Sequence, residues 1–197
     1  MSARAAAADT TRERMLQAAW RHFASRPYED VRLREIATDA AVSLPTLHNA
    51  FGAKEQLLTA AYAWWGLRVI AQRETAPTGD ERLAVAVLFD HYEAHGDAIL
   101  RMLSQEERVP EIRQMTDAGR GYHREWVRRT FASLLQGLRG DARRRRLNAL
   151  VVATDLLAWK LLRRDMQLDR DESERTMIEM VRTMCACRTK PPRGQTA

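Results

Sequence analysis

From Met15 to Val181, apolar residues return at intervals of three and four, and no segment sustains the every-second-residue alternation of a half-buried strand. That rhythm predicts an all-α chain. Met15, Leu16, Ala19, Trp20 and Phe23 share a first helix that Pro27 stops. Leu33, Ile36, Ala37 and Ala40 mark the inner face of a short second one, and a turn at Ala41 and Val42 leads into "SLPTLHNAF", which Gly52 closes. The next helix opens at "AKEQLL". Its Leu57, Leu58, Ala61, Tyr62, Trp64, Trp65 and Val69 are apolar on more than one side, so it packs against more than one neighbour.

Beyond the linker "TAPTGDE", Leu83, Val87, Leu88 and Tyr92 predict a helix ending near Gly96. "DAILRMLSQEERVP" follows as a shorter helix ended by Pro110. A long helix is expected from about Glu111 to Gly137, another through Leu147 to Leu162, and a last one carrying Met177, Ile178, Val181, Met184 and Cys185. No internal repeat is visible.

The 197 residues are 45% hydrophobic and 29% charged, enough core for one or two compact domains. No run approaches the roughly 20 apolar residues of a membrane span, and "MSARAAAADTTRER" lacks the apolar segment of a secretory leader. A cytoplasmic protein without a membrane partner is expected. Cys185 and Cys187 would point about 200° apart on a helix, which disfavours pairing and suits reduced thiols. The net charge of +6 does not mark a DNA site: Met1–Ala60 carries 8 Lys/Arg against 7 Asp/Glu, whereas Asp141–Ala197 carries 13 against 8.

Leu33 to Phe51 has the organisation of a short helix, a tight turn and a second short helix, by which one helix is presented to the major groove. Ser43 stands at the N-cap and Pro45 in the first turn, where a missing N–H costs nothing. Leu47 and Phe51 turn inward with Val42, which leaves Leu44, Thr46, His48 and Asn49 on or near the outer side. Asn49 suits adenine, Thr46 a hydroxyl contact or a thymine methyl, and Leu44 or Pro45 an apolar contact. The plainer alternative is that Ser43 and Thr46 only cap the helix and Asn49 is a solvated terminus.

"REIATDAAVSLPTLHNAFGAKEQLL" resembles the DNA-binding segment of the tetracycline-repressor (TetR) family of transcriptional regulators. Ile36-Ala37, Val42-Ser43, Thr46-Leu47, Phe51, Lys54-Glu55 and Leu57 carry the likeness. The resemblance implies a three-helix DNA-binding domain over residues 11–55 and a larger helical ligand-binding and dimerisation domain over 56–188, with disordered tails at 1–10 and 189–197. It implies a homodimeric repressor, without a cofactor, released from its operator by a small molecule. The DNA-facing set is then Arg32, Ser43, Leu44, Pro45, Thr46, His48, Asn49 and Lys54. Three positions depart from the family pattern: Arg32 replaces a capping threonine, Ala41 a turn glycine and His48 a tyrosine. An alanine at 41 requires an ordinary turn backbone. Arg32 and His48 are expected to touch phosphates, and Lys54 with the start of its helix to grip the DNA backbone.

The resemblance places the dimer contact on the last two long helices, where "LNALVVATDLLAWKLL" is apolar over several faces. Trp64, Trp65, Tyr92, Met102, Met115, Tyr122, Trp126, Phe131 and Trp159 are candidates to line a ligand site, although each also suits a core. Asp155 interrupts an apolar stretch and would orient a cationic ligand, pair with an arginine or face water. Two rivals remain open here. Arg143–Arg146 would serve a non-specific architectural DNA binder. His91 and His95, four apart in "HYEAH", have the spacing of two metal ligands of a helical enzyme, but no third ligand is evident and the glutamate is misplaced for a zinc protease.

Overall fold

The structure is a computed structural model and describes residues 3–186. Among these residues all regular elements are helical. In chain order they are α1 (Ala3–Ser25), a 3₁₀ turn (Tyr28–Asp30), α2 (Leu33–Asp39), α3 (Leu44–Phe51), α4 (Lys54–Arg73), α5 (Glu81–Leu103) and α6 (Pro110–Thr130). A second 3₁₀ turn (Ala132–Leu135), α7 (Gly140–Ala153), α8 (Leu156–Lys160), a π-helical turn (Leu161–Asp165) and α9 (Arg170–Ala186) complete the fold. Cys187 and the expected tail at 189–197 lie outside the described residues.

The chain forms two compact units, one from residues 1–75 and 93–121, the other from 76–92 and 122–197. In the first, α1 packs along α4 and across α2, and α3 sits on α2 and α4. Trp20 of α1 stacks on Trp65 of α4 at 4.2 Å between ring centroids, above buried Ile36, Leu47, Leu57 and Leu58. Polar contacts tie α1 to α2: His22 Nε2 donates to Asp39 at 2.7 Å, and Arg26 bridges to Glu35 at 2.6 Å while donating to His22 Nδ1. In the second unit, Leu88, Phe89, Trp126, Phe131, Leu150, Trp159 and Met177 are fully buried, and Arg170 at the start of α9 bridges to Asp90 of α5 at 2.6 Å.

Several boundaries differ from the sequence expectation. Helix α5 runs on through buried Gly96. A glycine costs a helix only about 1 kcal/mol against alanine, and α5 recovers more by burying Leu88, Phe89 and Tyr92 before Gly96 and Met102 after it. Pro110 begins α6 instead of only ending its predecessor, since proline suits a first turn. The expected helix from Glu111 to Gly137 stops at Thr130, and a 3₁₀ turn then buries Leu135. The apolar stretch from Leu147 to Leu162 is two helices, because Asp155 accepts from Leu157 N at 2.8 Å and caps α8.

The largest local departure is Ala41, whose φ of 53° lies in the left-handed region. The ordinary backbone expected of this alanine is not adopted. The turn it makes returns Val42 N to Ala37 O at 3.0 Å and so closes α2, and that bond requires the left-handed residue. A left-handed L-residue costs roughly 1–2 kcal/mol, partly offset by alanine's smaller entropy in the unfolded chain. Ala41→Gly is therefore expected to stabilise the first unit by about 0.5–1 kcal/mol. A higher urea midpoint at unchanged m-value would show it, and a lower midpoint would contradict it.

Candidate nucleic-acid interface

Helix α3 has eight residues, of which Leu47 and Phe51 are buried. Ser43 precedes it with extended backbone, and its Oγ accepts from Thr46 N at 3.2 Å. The Thr46 hydroxyl lies 2.8 Å from the same oxygen, so the two side chains cap the helix together. Leu44 and Pro45 occupy the first turn. Gly52, at φ 77°, ends α3 by donating to His48 O at 2.8 Å. Two buried anchors and two fixed ends thus leave one face of α3 to solvent: Ser43, Pro45, Thr46, His48 and Asn49 are exposed and Leu44 is half-buried.

Two flanking elements extend this face. Arg32 is the residue before α2, with extended backbone, an exposed side chain and no capping bond of its own. Helix α4 begins after Ala53, which has no side-chain acceptor. The amides of Lys54, Glu55 and Gln56 precede the first intrahelical bond, from Leu57 N to Ala53 O at 3.2 Å. Such amides attract an anion through their hydrogens and the helix dipole. By contrast, the start of α3 is already capped.

The Lys54 ammonium is not extended outward. It donates to Tyr28 O and lies 4.2 Å from the Tyr28 ring centroid. Partial burial, and after it the positive charge of Arg32, lower its pKa from the ordinary lysine value. The Tyr28 phenol donates to Glu55 at 2.7 Å, and burial followed by that bond raises its pKa. The Glu55 carboxyl is held below its usual pKa, first by a hydrogen bond from its own backbone amide, which is thereby engaged, and then by the phenol. Lys54 therefore braces the start of α4 against the Tyr28 turn. Tyr28 N donates to Gln105 Oε1 at 2.7 Å, which joins the same turn to the one that follows α5.

Arg12 was not singled out by sequence. Its guanidinium lies 4.3 Å from the Phe51 ring centroid and 3.4 Å from Ala50 O, which holds a positive charge beside the last turn of α3. No local pattern marks it, because the partners lie 38 and 39 positions away.

Residues 15–61 match the family model of bacterial regulatory proteins, tetR family. The chain carries a TetR-family DNA-binding domain. Three solved structures share the fold over most of the chain. A Pseudomonas aeruginosa PAO1 protein described as a transcriptional regulator superposes with a TM-score of 0.68 at 16% identity, covering 89% of this chain and 90% of that one. A TetR transcription regulator of Haloarcula marismortui gives 0.64 at 20% identity, covering 90% and 97%. A Saccharomonospora viridis protein described as a transcriptional regulator, solved in complex with choline, gives 0.60 at 22%, covering 87% and 95%. Among curated proteins no sequence matches. The TetR regulator fold, a helix-turn-helix domain followed by a larger helical domain, is thus common to all four chains.

The candidate ligand-lining residues fall into both units. In the first, Trp65 is stacked on Trp20 and meets the edge of His95 at 5.4 Å, while Met102 and Met115 join the same core. The Arg68 guanidinium lies 3.7 Å from the Trp64 ring centroid. In the second, Trp126 meets Phe131 edge-on at 6.0 Å, and Tyr92 lies 5.9 Å from Trp159. The Tyr92 hydroxyl donates to Thr154 O at 3.0 Å, and Tyr122 is half-buried. Asp155 has its capping role, and the Arg164 guanidinium lies 4.5 Å from the Trp159 ring centroid. No cluster of three metal-ligating side chains occurs among the described residues; His91 belongs to the second unit and His95 to the first.

Proposed function

We propose that the chain is a homodimeric repressor that reads operator DNA with α3 and is released by a small-molecule effector. The observation that carries the DNA reading is the face of α3: polar groups fixed by a cap at one end, Gly52 at the other and two buried anchors beneath. Thr46 and Asn49 read base edges, with Leu44 and Pro45 in apolar contact. Arg32, Arg12, His48 and the amides of Lys54 and Gln56 at the start of α4 hold phosphates. Ser43 acts through the cap that aims Thr46. Near-balanced charge in this segment favours paired copies, because one alone neutralises few phosphates. Dimer formation is supported by Val152, Leu157 and Leu161, which are 65%, 58% and 52% exposed on α7, α8 and the following turn. The choline complex of a protein with the same fold supports a small-molecule effector. The aromatic residues above are its candidate contacts, with Asp155 the least available because it caps α8.

The architectural alternative loses support from the arginine run itself: Arg143 donates to Leu135 O at 2.8 Å, and Arg144 pairs with Asp141 at 3.0 Å. The test is fluorescence anisotropy on DNA flanking the gene, against a scrambled duplex of equal length at one salt concentration. Asn49→Ala is expected to weaken the specific complex by about 1–3 kcal/mol, roughly 5- to 150-fold. Neutralising Arg145 and Arg146 should change it little. Equal affinity for both duplexes, or equal loss from both sets of substitutions, would count against the proposal.

A further inference from the structure

We propose that His48 grips a DNA phosphate only as the imidazolium, so that operator affinity is linked to one proton per recognition helix. The inference rests on the DNA-binding reading above. His48 Nδ1 lies 3.0 Å from Gly52 O. A carbonyl only accepts, so Nδ1 carries the hydrogen. Gly52 N returns a bond to His48 O at 2.8 Å, and the ring is clamped by this reciprocal pair. In a neutral imidazole whose Nδ1 is the donor, Nε2 presents a lone pair. That nitrogen belongs to an exposed ring on the outer side of α3, and no donor meets it among the described residues.

A lone pair turned to a phosphate oxygen repels it. One proton converts the same atom into a charged N–H donor, whose hydrogen bond to an anion is roughly twice as strong as a neutral one. The tyrosine usual at this position donates at any pH below about 10. Histidine therefore replaces a constant contact with a conditional one.

Most of the surrounding charges already have other partners. Around α2, Glu35 pairs with Arg26 and Asp39 with His22, while Arg32 and Arg34 are exposed. On α4, Lys54 and Glu55 are bound to Tyr28; from α1, Arg12 reaches Ala50 O. None of these groups bonds the His48 ring. The phosphate is then the partner that a proton on Nε2 serves. The complex binds the extra proton, so affinity falls as pH rises.

The experiment takes a duplex enriched from a random-sequence pool by the full-length wild-type protein at about pH 6. Its affinity for wild type, His48→Gln and His48→Tyr is measured by anisotropy from about pH 5.5 to about pH 8.5 at fixed ionic strength. Wild-type affinity is expected to fall by up to about tenfold per pH unit for each linked proton. Both variants donate without ionising in this window and should lose that component, which leaves them tighter than wild type or equal to it at the alkaline end. His22, His91, His95 and His123 are present in all three proteins, so the difference in slope isolates His48. Equal slopes overturn the proposal while leaving the DNA-binding reading intact. Failure to enrich any duplex overturns that reading and this inference with it.

Discussion

Leu47→Ala is expected to remove about 2–5 kcal/mol of stability from the DNA-binding unit and to abolish operator binding near physiological temperature. Leu47 is 1% exposed and, with Phe51, is one of two anchors beneath an eight-residue helix. A helix this short is not stable alone in water. Its cap and proline lower the cost of forming it, but burial of Leu47 sets the direction in which Thr46 and Asn49 point. Urea unfolding followed by tryptophan fluorescence reports on this core through Trp20 and Trp65, which stack within it. Asn49→Ala supplies the contrast: an exposed substitution should move stability by no more than about 0.5 kcal/mol yet still weaken binding. If Leu47→Ala unfolds at the wild-type midpoint, α3 is not anchored as described.

The helix-turn-helix was legible because its signals are local. Ser43 before a proline, Gly52 after a phenylalanine, and Leu47 and Phe51 one turn apart fix the start, end and inner face of α3 within ten residues. Ala41 was not legible. A left-handed turn is announced by glycine, and here an alanine is held in that conformation by the bond from Val42 N to Ala37 O. The break at Asp155 had a signal, an acidic residue directly before a fresh apolar run, but the apolar rhythm continues across it and reads as one helix. Gly96 erred in the opposite direction: a breaker by composition, it is overridden by burial on both sides.

The roles of charged residues at the interface depended on distant parts of the chain. Lys54 is a basic residue at a helix start and by sequence alone reaches outward to DNA. Its nearest partners are the carbonyl and ring of Tyr28, 26 positions earlier. Arg12 shows the reverse, an unmarked arginine that tertiary packing places at the end of α3. Local periodicity determines which face of a helix is buried. It does not determine which long side chain reaches across to another helix, because that depends on packing between segments far apart in sequence.

The paired change Leu157→Glu, Leu161→Glu is expected to yield a folded monomer with operator affinity reduced by about 10²–10⁴-fold. Both leucines are more than half exposed in the single chain, and they stand four apart along α8 and its π-helical extension. Within one chain their loss costs little, since surface substitutions usually change stability by no more than about 0.5 kcal/mol. In a two-fold dimer the same patch faces its own copy, so each glutamate enters a buried contact opposite another negative charge. The reduction in affinity follows from linkage. Once one recognition helix is bound, the second samples its half-site at an effective concentration in the millimolar range, and a monomer forfeits that gain. Sedimentation equilibrium measures the oligomer, and anisotropy on a duplex carrying both half-sites measures the binding. Leu83→Glu, at a 53% exposed position on α5, is the matched control and should alter neither. A double variant that remains dimeric would move the interface away from α8. A wild-type protein that is already monomeric would remove the proposed means by which a near-neutral DNA-binding segment achieves tight binding.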